Sequence, residues 1–180
     1  MVSSELPPHD LQLVLDFVNT LDVASGEDLL STPEALGRWL GERRLTDTRA
    51  WVGPDELTSA IDLREGLRTT LRSHTRGDSE PCEALEPIAR RGRLSISFAG
   101  DGAVAITARA GDCDAALARL LVPVAYAALD GTWQRVKVCD ADACSEAFYD
   151  RSRNRSARWC DMSVCGNRTK VRAYRAKRGP

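Results

Sequence analysis

Six cysteines occur in this 180-residue chain, and four fall as two C-x4-C pairs, Cys139/Cys144 and Cys160/Cys165. Thiolates are soft, charged ligands, and two such pairs supply the four sulfurs that a tetrahedral structural zinc takes. A disulfide framework, the competing reading, belongs to exported chains. The start MVSSELPPHD has neither the basic residues nor the apolar run of a signal peptide. No stretch approaches the roughly 18 apolar residues of a membrane span. The expectation is a cytoplasmic protein with reduced thiols, one structural Zn2+ and no membrane partner. Four protein ligands leave no open coordination position, which argues against hydrolytic zinc chemistry. His9 and His74 stand far apart, and the chain has no nucleophile elbow or phosphate-binding glycine loop. No enzymatic activity is expected and no catalytic residue is assigned. Cys82 and Cys113 are single and read as small buried hydrophobes.

Charge is divided along the chain. Residues 134–180 carry twelve Lys/Arg against five acids, while the preceding 133 carry 13 against 21, although the formal total is only −1. A basic tail on an acidic body suggests two jobs and a polyanionic partner for the tail. The phosphate-contact candidates are Arg151, Arg153, Arg155 and Arg158 in a polar loop, then Arg168, Lys170, Arg172, Arg175, Lys177 and Arg178 along a helix. Arg168 is open between two roles, nucleic-acid contact and hydrogen bonding to a four-thiolate centre of formal charge about −2. Double-stranded DNA is the first partner expected, and a small-molecule effector and a homodimer are further ones. The alternative is a zinc-stapled structural or protein-interaction module that binds no nucleic acid.

The elements that must position these residues follow from periodicity. Apolar residues at 11, 14, 15, 18 and 21 predict a helix ended by Gly26. Thr32-Pro33 caps and opens a second helix to about Arg43, and Pro54 opens a long third ending near Gly77. A short helix is expected over 80–90, and a β-hairpin from Leu94–Phe98 and Val104–Ala108 around Gly100-Asp101-Gly102. Asp114–Leu129 reads as one helix kinked at Pro123.

In the tail, a strand at Gln134–Val138 delivers Cys139, Cys139–Cys144 forms a knuckle, and Glu146–Tyr149 returns. Ser163 then caps a helix over 164–177 with Cys165 in its first turn. Val164, Asn167, Val171 and Tyr174 form a stripe expected to face the core of this module. The fold class is α+β: an α-rich domain with one β-hairpin over residues 1–133, then a small treble-clef-like four-cysteine finger over 134–180.

Phe148-Tyr149-Asp150, Ser152, Arg155, Arg158-Trp159-Cys160-Asp161-Met162, Cys165-Gly166-Asn167-Arg168 and Lys170 together resemble the CGNR zinc finger family. Leu15-Asp16-Phe17-Val18-Asn19-Thr20 is similar to the ABATE domain that precedes this finger. Within that motif, Asp16 and Asn19 read as capping or helix-packing residues, with ligand contact as the sharper alternative. The resemblance implies a bacterial, stress-induced type of transcription regulator whose finger binds DNA.

Overall fold

Thr32 shows how local chemistry sets the elements: its Oγ1 accepts the Ala35 N–H at 3.2 Å and so opens helix α2 (Pro33–Glu42) with proline in the first turn. The computed structural model describes residues 11–46, 51–78, 83, 85–108 and 112–178. Among them α2 is preceded by α1 (Leu11–Val18) and followed by α3 (Pro54–Arg76) and α4 (Leu85–Arg91). Next come the hairpin strands β1 (Ser95–Phe98) and β2 (Val104–Thr107), then α5 (Cys113–Arg119) and α6 (Leu121–Leu129). The tail contributes β3 (Val136–Val138), β4 (Ala147–Tyr149) and α7 (Asn167–Arg178). Both sheets are antiparallel two-stranded ribbons, β1 with β2 and β3 with β4. The fold is α+β.

Helix α3 is the axis of the molecule. The Gly53 N–H donates to the Glu56 carboxylate at 2.9 Å at its start, and Gly77, at φ 74, closes its end in the left-handed region that glycine adopts without strain. Its Leu63, Leu67 and Leu71 are fully buried and pack with Leu11, Phe17, Leu36, Leu40, Leu117 and Leu120. Val136, Val138 and Ala147 belong to this same cluster, so the first hairpin of the tail is built into the main core.

Several boundaries depart from the periodic reading. The first helix stops at Val18: Thr20 Oγ1 donates back to the Phe17 carbonyl at 2.8 Å, and Leu21 forms a bridge with Asp28. The predicted 114–129 helix is two helices that break at Leu120. Asp112 caps the first, accepting the Ala115 N–H at 2.7 Å. Pro123 has no N–H to offer the Arg119 carbonyl, so the chain breaks there and proline falls in the first turn of α6. The short fourth helix begins at Leu85, residue 83 lies in a turn, and the rest of the expected 80–90 segment, with Cys82, lies outside the described residues, as does His9. The strand expected from Gln134 begins at Val136, after a 3-10 turn at Trp133–Arg135. No helix among the described residues is long and apolar enough to cross a membrane.

Candidate metal centre

The four paired cysteines converge. Cys139 leaves β3, and its N–H donates to the Glu146 carbonyl at 2.8 Å, which closes the knuckle between β3 and β4. The Cys144 N–H donates to the Ala141 carbonyl at 2.9 Å, tightening the same turn. Cys160 follows the arginine loop. Cys165 sits in a π-helical turn, Met162–Gly166, that runs into α7. The cap of that turn is Asp161, whose Oδ1 accepts the Val164 N–H at 2.9 Å; Ser163, predicted as the cap, donates its hydroxyl to the same oxygen at 2.6 Å. A carboxylate offers the stronger acceptor to the free N–H groups of a helix start, which explains the earlier beginning.

All four Sγ atoms lie within 4.8 Å of one another. Cys144 and Cys160 are 3.7 Å apart, and Cys160 and Cys165 3.8 Å. Sulfurs each about 2.3 Å from a tetrahedral ion are separated by about 3.8 Å, so the spacing fits a metal and not a disulfide. Three of the thiols are shifted by burial and by one another. Burial works against ionisation of Cys139, yet backbone N–H groups of Cys160 and Ala141 hold its pKa below the ordinary value. Burial first, and then the charge of Cys139, push Cys144 up to about 11; Cys160 is driven up further by burial, by Glu146 and by its neighbours. A bound dication removes this mutual opposition.

Gly166 is closely packed: a Cβ there would lie 2.5 Å from Met162 Sδ and 3.4 Å from the Trp159 ring, so a side chain would require the half-exposed end of Met162 to move. Trp159 and Phe148 cover the cluster, as their types suggest. Arg168 places Nη2 3.8 Å from Cys165 Sγ and so meets a ligand, in the role of hydrogen bonding to the centre.

Lys137, one of the residues behind the basic count of the tail, is buried. Its Nζ donates to Asp150 Oδ2 at 2.8 Å and to the Arg155 and Ala157 carbonyls at 2.6 and 3.2 Å. Asp150 also accepts the Ser152 and Ala157 N–H groups at 2.8 and 3.0 Å. Arg135 Nη1 reaches the Asp150 and Ser152 carbonyls, both at 3.0 Å. These bonds shape the loop from within and turn its arginines outward.

The residues predicted to meet phosphate divide accordingly. Arg151, Arg153, Arg155, Lys170, Arg175 and Lys177 are exposed and form no ion pair with any described residue. Arg158 pairs with Asp140 and stacks over Trp159 at 5.8 Å, and Arg172 meets Asp142 at 2.8 Å. The side chain of Arg178 lies outside the described residues. Asn167 is exposed, with no side-chain partner among the described residues. The α7 stripe expected to face the module core does not: Val164, Val171 and Tyr174 are about half exposed, because the small core is filled by Trp159, Phe148 and the cysteines.

The two parts touch, as the lack of a linker suggests, but sequence reasoning did not find the residues that dock them. Arg68 donates to the Ser145 and Val18 carbonyls at 2.8 and 2.7 Å; Thr75 Oγ1 donates to the Val138 carbonyl at 2.7 Å and accepts its N–H at 3.1 Å. Asn19, singled out by its motif, bonds the backbone of Ala147 and so has a packing role. The only advance signal for the others was polar residues at core-facing positions of α3.

Residues 135–178 match the CGNR zinc finger family, and residues 11–131 match ABATE, whose description is "Putative stress-induced transcription regulator". No curated protein matches the chain. Since the second match spans well over half of the chain and the first contains all four clustered cysteines, the protein belongs to the ABATE family and ends in a CGNR zinc finger whose cysteines form a metal site.

Proposed function

We propose that this protein is a cytoplasmic, non-enzymatic transcription regulator. In this reading Cys139, Cys144, Cys160 and Cys165 hold one structural Zn2+, and the loop and helix fixed by that ion bind double-stranded DNA. One observation carries it. The cluster and the buried Lys137–Asp150 pair pin the 151–158 loop, while Cys165 anchors the start of α7. Six exposed cations with no ion-pair partner among the described residues, Arg151, Arg153, Arg155, Lys170, Arg175 and Lys177, are thereby held on ordered backbone. Such groups neutralise phosphates and release counterions, which gives affinity and position without reading sequence. Arg158 and Arg172 belong to the same surface, since exposed ion pairs are weak and a phosphate competes with Asp140 or Asp142 for them. Asn167 has the bidentate amide that can read adenine.

Three features complete the reading. With four sulfurs on a tetrahedral zinc, no position remains for substrate, so the ion has a structural task. A cavity of about 370 Å³ lined by Asn19, Leu21, Asp22, Ala24, Cys144 and Glu146 touches both the docking clamp and a metal ligand, and there a small effector would act. The family description supplies the regulatory direction.

The test is binding of the zinc-loaded protein to labelled genomic fragments over a salt series, with single-stranded RNA as competitor. Selection of particular duplexes with a steep salt dependence is expected. Binding that is absent, or that RNA outcompetes, overturns the DNA reading. A second reading, docking of a protein partner, is favoured by the exposed Met162, Val164, Val171 and Tyr174 around α7.

A further inference from the structure

The β1–β2 hairpin has an unusual surface. Ile96 pairs with Ile106 and Phe98 with Val104, so four apolar side chains share one face. Ile96, Phe98 and Val104 are 63, 78 and 56 % exposed, which is unusual for apolar residues of a strand. Ser95, Ser97, Ala105 and Thr107 occupy the other face. A two-stranded ribbon of four residues per strand is marginally stable alone, and further strands on it add stability.

Its two edges differ. The Ala99 N–H donates to the Ala103 carbonyl at 2.8 Å, and this bond fixes the alternation along the ladder. Ser95 and Ser97 therefore direct their backbone groups toward β2, whereas Ile96 and Phe98 direct theirs outward. On β2 the outward N–H is that of Ile106, and it donates to the Tyr126 hydroxyl at 3.1 Å, so α6 covers that edge. On β1 the outward N–H and C=O groups of Ile96 and Phe98 form no hydrogen bond with any described residue. Neither strand contains Lys, Glu or Pro, the residues that normally blunt a free edge.

We propose that this protein self-associates through the free edge of β1, two copies pairing antiparallel about a two-fold axis at Ser97 to make a four-stranded sheet. In that register Ile96 of each copy exchanges both backbone bonds with Phe98 of the other, so every outward group of β1 is satisfied. The same pairing stacks a β-branched residue on an aromatic one twice. Exposed Arg93 lies just before β1 and exposed Asp101 in the turn just after it, so antiparallel pairing brings the Arg93 end of each copy to the Asp101 end of the other. The charges at the two ends of the edge are thus complementary under this symmetry, while the middle is uncharged.

The test uses the full-length, zinc-loaded protein. Sedimentation should give a dimer that Phe98→Lys or Ile96→Lys weakens by on the order of tenfold or more, with unchanged circular dichroism because both side chains are already exposed. Register is read by cross-linking. Two Ser97 residues facing each other as a non-hydrogen-bonded pair have Cα atoms about 4.5 Å apart, within disulfide reach. Ser97→Cys should therefore form a covalent dimer on mild oxidation, whereas wild type and Ser95→Cys should not. A monomer at the highest soluble concentration overturns the proposal. So does a dimer that survives Phe98→Lys, or one in which Ser97→Cys fails to cross-link.

Discussion

Asn19 and Ala147, 128 residues apart, are joined by two hydrogen bonds: Asn19 Nδ2 donates to the Ala147 carbonyl at 2.9 Å, and the Ala147 N–H donates to Asn19 Oδ1 at 2.7 Å. A side-chain amide here takes the place of a neighbouring strand, satisfying the backbone of β4 where it meets α1. Asn19→Ala strands a donor and an acceptor in a partly buried site. It should lower unfolding stability by about 2 kcal/mol, measured as a shift of the denaturant midpoint at unchanged slope. An unaltered midpoint would show that water replaces the amide.

Metal removal should separate the two halves of the tail. Cys160→Ser or strong chelation deprives the knuckle, the arginine loop and the start of α7 of their staple. β3, with Val136 and Val138 fully buried in the main core, should stay. The expected hydrogen-exchange pattern is loss of protection in the knuckle, the arginine loop and α7, with α3, β3 and β4 still protected. Global unfolding would mean that the core depends on the metal.

Lys137 is 4 % and Asp150 0 % exposed at the side chain. Lys137→Met would strand the carboxylate and two loop carbonyls, a loss of about 3–5 kcal/mol by the usual effect of breaking a buried pair. Thermal melts check it. A smaller loss would mean that Asp150 is held well enough by Ser152 and Ala157 alone.

His74 donates from Nδ1 to the Val136 carbonyl at 2.9 Å and packs edge-on to Trp133. Burial, helped by the Lys137 charge and opposed by the Val136 bond, lowers its pKa from the ordinary 6.5. The unfolded chain then binds the proton more tightly than the folded one. This contribution to stability is complete above pH 6.5 and is lost as pH falls through the folded value. His74→Gln should show a flatter stability profile below pH 6.5 than the parent; identical slopes would assign the acid sensitivity to other groups.

Arginine variants should sort by partner. Arg168→Ala removes a donor to Cys165 and should weaken zinc retention by about tenfold or more, seen in chelator competition. Arg151→Ala, Arg153→Ala and Arg155→Ala combined should keep the zinc but flatten the salt dependence of DNA binding by roughly 0.9 for each phosphate left unneutralised. An unchanged slope would remove the loop from the interface.

The sequence by itself determined the four cysteines that cluster, the helix starts at Thr32 and Pro54, the hairpin around Gly100-Asp101-Gly102 and the family. Each of these is written within a few residues: C-x4-C spacing, a cap beside a proline, alternating apolar positions. The docking of the finger was decided only in three dimensions, because Arg68, His74, Thr75 and Asn19 act on backbone groups 62 to 128 residues away that have no side-chain signature. Tertiary structure also separated one cation from another. Lys137 and Arg168 have the same composition signal as Arg151 and Lys170, but Lys137 is buried against a carboxylate, and Arg168, still exposed, turns a nitrogen to a cysteine sulfur. Which cations remain for a partner depends on which acids and carbonyls the fold brings beside them, and that is a property of packing.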